Sequence, residues 1–268
     1  ARGRRPPRRP PHPQRARRDA RGVAAAFAAV VGEAVRRVAA TQAAAVGRAA
    51  DLVAGGLRAG GVVQAFGTGH SQALAMEIAG RAGGLVPTNM IAIRDLVLLG
   101  GEPPEVLFTE YLERDPAVGR RLYDLAGVHP ADVFVLASNS GGNGSLVELA
   151  HAVKEHGHPL VAVTSLAHTT RVPSRHPSGL RLFELADVVL DNGAPYGDAV
   201  LDAGGTAVCA VSSITGALLA QMVVAEVVAA MLAAGETPPV YLSANVPEGD
   251  AHNEALEARY AGRIRRPA

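Results

Sequence analysis

The chain has 268 residues, of which 48% are hydrophobic, 19% charged and 4% aromatic. That is enough apolar material for a folded domain without covalent staples. Tryptophan is absent, which leaves too few aromatics for a single-stranded nucleic-acid stacking platform. The lone cysteine, Cys209, excludes an internal disulfide and any multi-cysteine metal centre.

Charge is unevenly spread. Residues 1–21 hold nine arginines against one aspartate, a net +8, so a chain of net +1 carries −7 outside them. Prolines at 6, 7, 10, 11 and 13 leave this segment nothing to bury, and it is expected to be disordered. A single domain is expected over 22–262. Its helical lead-in shows in Val23, Phe27, Val30, Val31, Ala34 and Val38, which follow helical spacing with Glu33, Arg36 and Arg37 on another face.

Beyond the lead-in, short apolar runs alternate with helical stretches. Strands are expected at 62–66, 90–93, 132–137, 160–164 and 187–190. Helices are expected from the Gly67–Ser71 loop to Ala82, over Glu105–Ala126, and over Leu146–His156. Apolar strands separated by helices point to a parallel sheet covered on both faces. His151, His156 and His158 are expected at the surface, with no acidic residue completing a metal site. The segment Ile214–Gly235 is apolar on nearly every face, but Gln221 and Glu226 interrupt it. It reads as a core or subunit-interface helix rather than a membrane span.

Two polar loops follow strands and open helices, where open parallel sheets bind ligands. The first is Gly67-Thr68-Gly69-His70-Ser71. A lone Gly-x-Gly is a weak dinucleotide signal, and Gln72 stands where a third glycine would. The second is Ser138-Asn139-Ser140-Gly141-Gly142-Asn143-Gly144-Ser145. Glycines admit close backbone approach, and hydroxyls and amides at a helix N-terminus suit a phosphate. No lysine is present for a Walker-type site.

At these residues the chain resembles the sugar isomerase (SIS) phosphosugar-binding family. GTGHS at 67–71, SNSGGN at 138–143 and VSSITGALL at 211–219 carry the resemblance, which spans roughly residues 25–260. It implies a three-layer αβα sandwich around a five-stranded parallel sheet, flavodoxin-like, usually in homodimers or homotetramers. It also implies a phosphate loop in which Ser138, Ser140 and Gly141 match the family pattern and Asn143 replaces a threonine. Gly69, Ser71, Asn139, Ser212 and Ser213 complete the expected substrate site. The implied ligand is a phosphorylated sugar or amino sugar, and the implied chemistry is isomerisation or a related lyase or etherase reaction. A non-catalytic phosphosugar sensor is the alternative, and a dinucleotide-dependent dehydrogenase a weaker one. No cofactor, metal, membrane or nucleic-acid partner is expected, and the location is expected to be cytoplasmic.

The catalytic residues are not carried over, because Arg81 stands where the resemblance puts the glutamate of phosphoheptose isomerases. Proton transfer between adjacent carbons needs a base within hydrogen-bond reach. Position alone nominates Glu77, the acid on the first helix after the glycine loop, with His70 or His176 completing the proton route. Arg175 is a candidate for holding an anionic group. Asp191–Gly193 and Tyr196–Asp198, dense in turn formers after the last strand, are expected at the same rim.

Overall fold

A computed structural model describes residues 13–266, with side chains from residue 22. It begins with α1 (Pro13–Arg58), 46 residues and about 70 Å long at 1.5 Å per residue. The helix starts inside the segment expected to be disordered. Residues 1–12, the rest of that segment, lie outside the described residues.

Five strands form one parallel sheet in the order β2-β1-β3-β4-β5. They are β1 (Val63–Gly67), β2 (Thr88–Ile91), β3 (Val133–Ala137), β4 (Leu160–Thr164) and β5 (Val188–Asp191). Every residue of β1, β3 and β4 is buried, because helices cover both faces and leave no polar side to the strand. Side chains still alternate with period two. Val63, Ala65, Val133, Val135, Val161, Val163 and Leu190 pack under α1, α2 (Gln72–Ile78) and α8 (Ser212–Ala233). Phe66, Phe134, Leu136, Leu160 and Ala162 pack on the other face with α4 (Pro116–Leu125) and α5 (Gly144–Glu155). The three layers are the αβα sandwich expected from the sequence.

Buried polar groups sit at the amino end of this sheet's central strands. Asp132, with no exposed surface, accepts from the amides of Val62 and His129, from Gln64 Nε2 at 3.0 Å and from Arg263 Nη2 at 2.6 Å. A carboxylate this deep is tolerable only because every lone pair is used.

Four sequence expectations fail. The helix expected over Glu105–Ala126 is broken. Pro103, Pro104 and a left-handed Tyr111 (φ 58°) confine 104–114 to short 3₁₀ turns, and α4 starts only at Pro116 under an Asp115 cap. The helix after the glycine loop stops at Ile78, not Ala82. An antiparallel hairpin, β6 (Ala199–Asp202) and β7 (Ala207–Ala210), turns at Gly204-Gly205 where no strand was expected. His158 is buried rather than at the surface; its Nε2 lies 3.0 Å from Tyr123 Oη and its Nδ1 3.2 Å from the Asp132 carbonyl. Short helices α3 (Asp95–Leu98), α6 (Leu166–Thr169) and α7 (Leu182–Leu185), and α9 (Gly249–Ala258), complete the described chain.

Among the described residues one helix, α8, is long and apolar enough to cross a membrane. In the fold it packs along α1 and α2. Gly216 comes close to Leu74.

Candidate functional site

The carboxyl ends of β1, β3, β4 and β5 meet the start of α8 in one depression. His70, Ser71, Ser138, Asn139, Asn192, Ser212 and Ser213 line it, over an apolar floor of Leu74, Ala137, Val163 and Gly216. Its deep part holds about 20 Å³, room for one water or one phosphate oxygen, and the whole depression about 300 Å³ with its mouth. A separate void of about 30 Å³ beneath α1, α2 and α8 is almost wholly aliphatic, a packing defect and not a polar site.

The first wall is built by a sharp reversal after β1. A Cβ on Gly67 would stand 2.4 Å from the Ser71 carbonyl, so the chain can fold back on itself only at glycine. A single 3₁₀ turn, Gly69–Ser71, then delivers Ser71 to the start of α2. Among the described residues the side chains of His70 and Ser71 have no hydrogen-bond partner, and both face the depression.

The second wall is the loop after β3. Ser138 Oγ accepts from the Gly141 amide at 3.0 Å and lies 3.5 Å from Ser140 Oγ, a long contact in which either hydroxyl could donate. Gly141 is left-handed, φ 60°. A strap over residues 173–182 lies outside the loop and takes up its carbonyls: Arg175 N donates to Gly142 O and Leu182 N to Gly141 O, both at 2.8 Å. Thr169 Oγ1 donates to Ser140 O at 2.7 Å. With carbonyls held outward, the amides of Ser140, Gly142 and Asn143 have no protein partner among the described residues. Successive free amides before a helix are an anion nest.

Asn192 makes the third wall. Its Nδ2 donates to Asn139 Oδ1 at 2.7 Å, and its Oδ1 accepts from Ala194 N at 3.0 Å. That fixes both amide orientations and leaves the Asn139 NH₂ for a ligand. The sequence marked 191–193 as a rim turn but did not single out Asn192.

The start of α8 differs. Ser212 Oγ donates to Asp198 Oδ2 at 2.6 Å, and Asp198 Oδ1 accepts from the amides of Val211 and Ser212 at 3.1 and 2.9 Å. A carboxylate already caps this helix, so Ser213 is the hydroxyl it leaves available.

The other nominated residues fall outside the lining. Ser140, Gly141 and Asn143 shape the loop after β3 from behind, with Asn143 Oδ1 accepting from Arg175 at 3.3 Å. Gly69 sits in the turn beside His70. Glu77 does not enter the depression. Six residues of helix turn it about 240° from Ser71, toward α8, where it accepts from Gln221 Nε2 at 2.7 Å and pairs with Arg81. His176 also lies elsewhere: Nε2 meets Glu148 Oε2 at 2.9 Å and Nδ1 meets Ser178 Oγ at 2.8 Å. Burial raises the Glu148 carboxyl, but hydrogen bonds from His176 and Arg120 outweigh it and hold the group below the usual carboxylate range. His176 therefore anchors the strap to α5. Among the described residues no group of three or more His, Cys, Asp or Glu is placed to hold a metal ion.

This topology and this loop pattern agree with the family comparison, in which residues 26–165 match the model of the SIS domain. The chain belongs to the SIS-domain family. Among its relatives are UPF0309 proteins, 42% identical in Listeria monocytogenes over 84% of this chain and 91% of that protein. One from Brucella canis is 39% identical over 81% and 87%. Phosphoheptose isomerases from Francisella tularensis (TM-score 0.54, 14% identity, 78% of this chain and 97% of that one) and Neisseria gonorrhoeae (0.51, 18%, 77% and 97%) share the SIS fold with it.

Proposed function

We propose that this SIS-domain protein binds a phosphorylated sugar or amino sugar in the depression at the strand carboxyl ends and acts on it by isomerisation or a related lyase or etherase reaction. The observation that carries the reading is the set of free amides of Ser140, Gly142 and Asn143 beside the Ser138 hydroxyl. The phosphate would sit on the nest, and the sugar would lie across the mouth toward His70, Ser71 and Ser213. His70 would move the proton, since it is the one imidazole among the lining side chains and no carboxylate lines the depression. Glu77, held by Arg81 and Gln221, would steady α2 against α8 instead.

A non-catalytic phosphosugar-binding role is the second reading. One titratable side chain in the lining favours it, because isomerisation needs both a proton acceptor and a route to the sugar oxygens.

A homodimer or homotetramer is part of the proposal. Ile214 and Leu232 on α8 are 40% and 60% exposed, and Val23 and Val30 on α1 are 40% and 36% exposed. A second copy laid along these helices would cover them.

The test is a thermal-shift panel of sugar phosphates and free sugars, followed by turnover of whichever binds. Stabilisation by the phosphorylated forms alone, with turnover lost in His70→Gln, supports the enzyme. Stabilisation without turnover supports the binding module, and no stabilisation by any sugar phosphate rejects both.

A further inference from the structure

A second cleft, sharing no residue with the depression, lies beside the edge strand β2. It has a volume of about 310 Å³ and is lined by Met90, Arg94, Asp95, Leu98, Leu99, Arg265 and Arg266. That volume is within the range of small-molecule sites.

Residues 263–266 build one side. The Asn89 side chain reads their backbone, donating to Arg263 O at 2.8 Å and accepting from Arg265 N at 2.7 Å. Arg266 donates to Thr88 O at 2.7 Å and to Tyr241 Oη at 2.7 Å. The segment thus closes an edge strand and holds Arg265 at the cleft.

The arginines divide into employed and unemployed. Arg263 pairs with Asp132, and Arg266 lies near Glu257. Arg94 and Arg265 form no ion pair among the described residues; Arg265 Nη1 donates to the Leu125 carbonyl at 3.4 Å, and its buried Nη2 has no hydrogen-bond partner. Asp95, buried at the base of the cleft, turns its carboxylate to Ala92 N at 3.0 Å; burial pushes its pKa up, against that bond and the nearby charges of Arg265 and Arg94, with neither of which it forms an ion pair. The opposite wall is apolar, with Leu98 63% and Leu99 46% exposed. Two unpaired guanidiniums facing two exposed leucines match an anion with an apolar body.

We propose that this cleft is a binding site for an organic anion, a phosphate or carboxylate carried on an apolar group. The cleft stands apart from the depression and from the phosphosugar it is proposed to hold. A carboxylate at Ser138→Asp closes the phosphate nest, so the full-length Ser138→Asp variant isolates the cleft. Calorimetric titration of that variant with phenyl phosphate is expected to show one saturable site, with inorganic phosphate at least about tenfold weaker for lack of the apolar contact. Adding Arg94→Gln should weaken phenyl phosphate about tenfold, and adding Arg265→Gln should weaken it about tenfold again, the loss expected for a charge-assisted hydrogen bond. Arg94 makes no side-chain bond in the described fold, so its variant carries the test even if Arg265→Gln loosens the segment. No saturable binding at millimolar phenyl phosphate, equal binding of inorganic phosphate, or binding unchanged by Arg94→Gln would each overturn the proposal.

Discussion

Two serine-bearing helix starts face the same depression, and their electrostatics are opposite. At α5 the chain reads Ser-Asn-Ser-Gly-Gly-Asn, the strap draws the carbonyls outward and the amides are left free. At α8 it reads Val-Ser-Ser, and Asp198 has already satisfied two amides and one hydroxyl. Similar composition thus leaves unpartnered amides in one place and makes a capped helix in the other. What decides it is a residue from a different element, so polar content at a helix N-terminus does not by itself make a phosphate site.

The sharpest way to break the comparison is to reverse the sign of the open end. Ser138→Asp should abolish sugar-phosphate binding, whereas Ser138→Ala should weaken it by about 1–3 kcal/mol for the one donor lost to a charged group. Binding titrations of wild type and the two variants test this; affinity unchanged in Ser138→Ala would move the phosphate elsewhere.

The capped end should behave otherwise. Asp198→Asn keeps the shape and removes the charge, so it should lower unfolding free energy by about 0.5–2 kcal/mol, as for loss of a helix cap, and leave sugar-phosphate affinity nearly unchanged. Denaturant unfolding and the same titrations measure both. If Asp198→Asn instead tightened binding tenfold, the phosphate would sit on α8 and the contrast would fail.

Much of this was legible in the sequence. The apolar runs at 62–66 and 132–137 read as buried strands, and the glycine-serine loops that follow them fall at the carboxyl rim. The phase of Glu77 was not legible. It depends on where α2 begins, and the 3₁₀ turn at Gly69–Ser71 sets that by a close approach visible only in three dimensions. Asn192 was hidden for a related reason. Its role comes from Asn139, 53 residues away in sequence. His176 looked like a loop histidine near the rim, but the strap it belongs to folds behind the phosphate loop.

Glu77 offers a smaller effect that separates position from chemistry. Glu77→Gln removes the charge toward Arg81 and keeps an oxygen for Gln221, so it should cost at most about 1 kcal/mol of stability, the scale of one partly exposed ion pair. Turnover, where the protein shows any, should hold. A variant stable as wild type but inactive would return Glu77 to the reaction.

The smallest effect concerns His158, which lies far from either helix start and so calibrates pH responses in the two ends. Burial is the main cause that lowers its pKa below the ordinary 6.5; the Asp132 carbonyl opposes this without cancelling it. The folded protein therefore keeps His158 neutral where the unfolded chain would protonate it. Above about pH 6.5 both states are neutral and this group adds no pH dependence. As pH falls below 6.5, the unfolded state gains the proton first, and stability declines until the folded pKa is passed. Thermal midpoints measured from pH 7.5 down to 5.5 should fall in wild type and fall less in His158→Gln, whose amide can still meet Tyr123. The carboxylates Glu148 and Glu155, both lowered below their ordinary range, act mainly at more acid pH and should leave this window to the histidines. An equal slope in both proteins would show that some other histidine carries the response. In that case His70, exposed in the depression, is the next to replace.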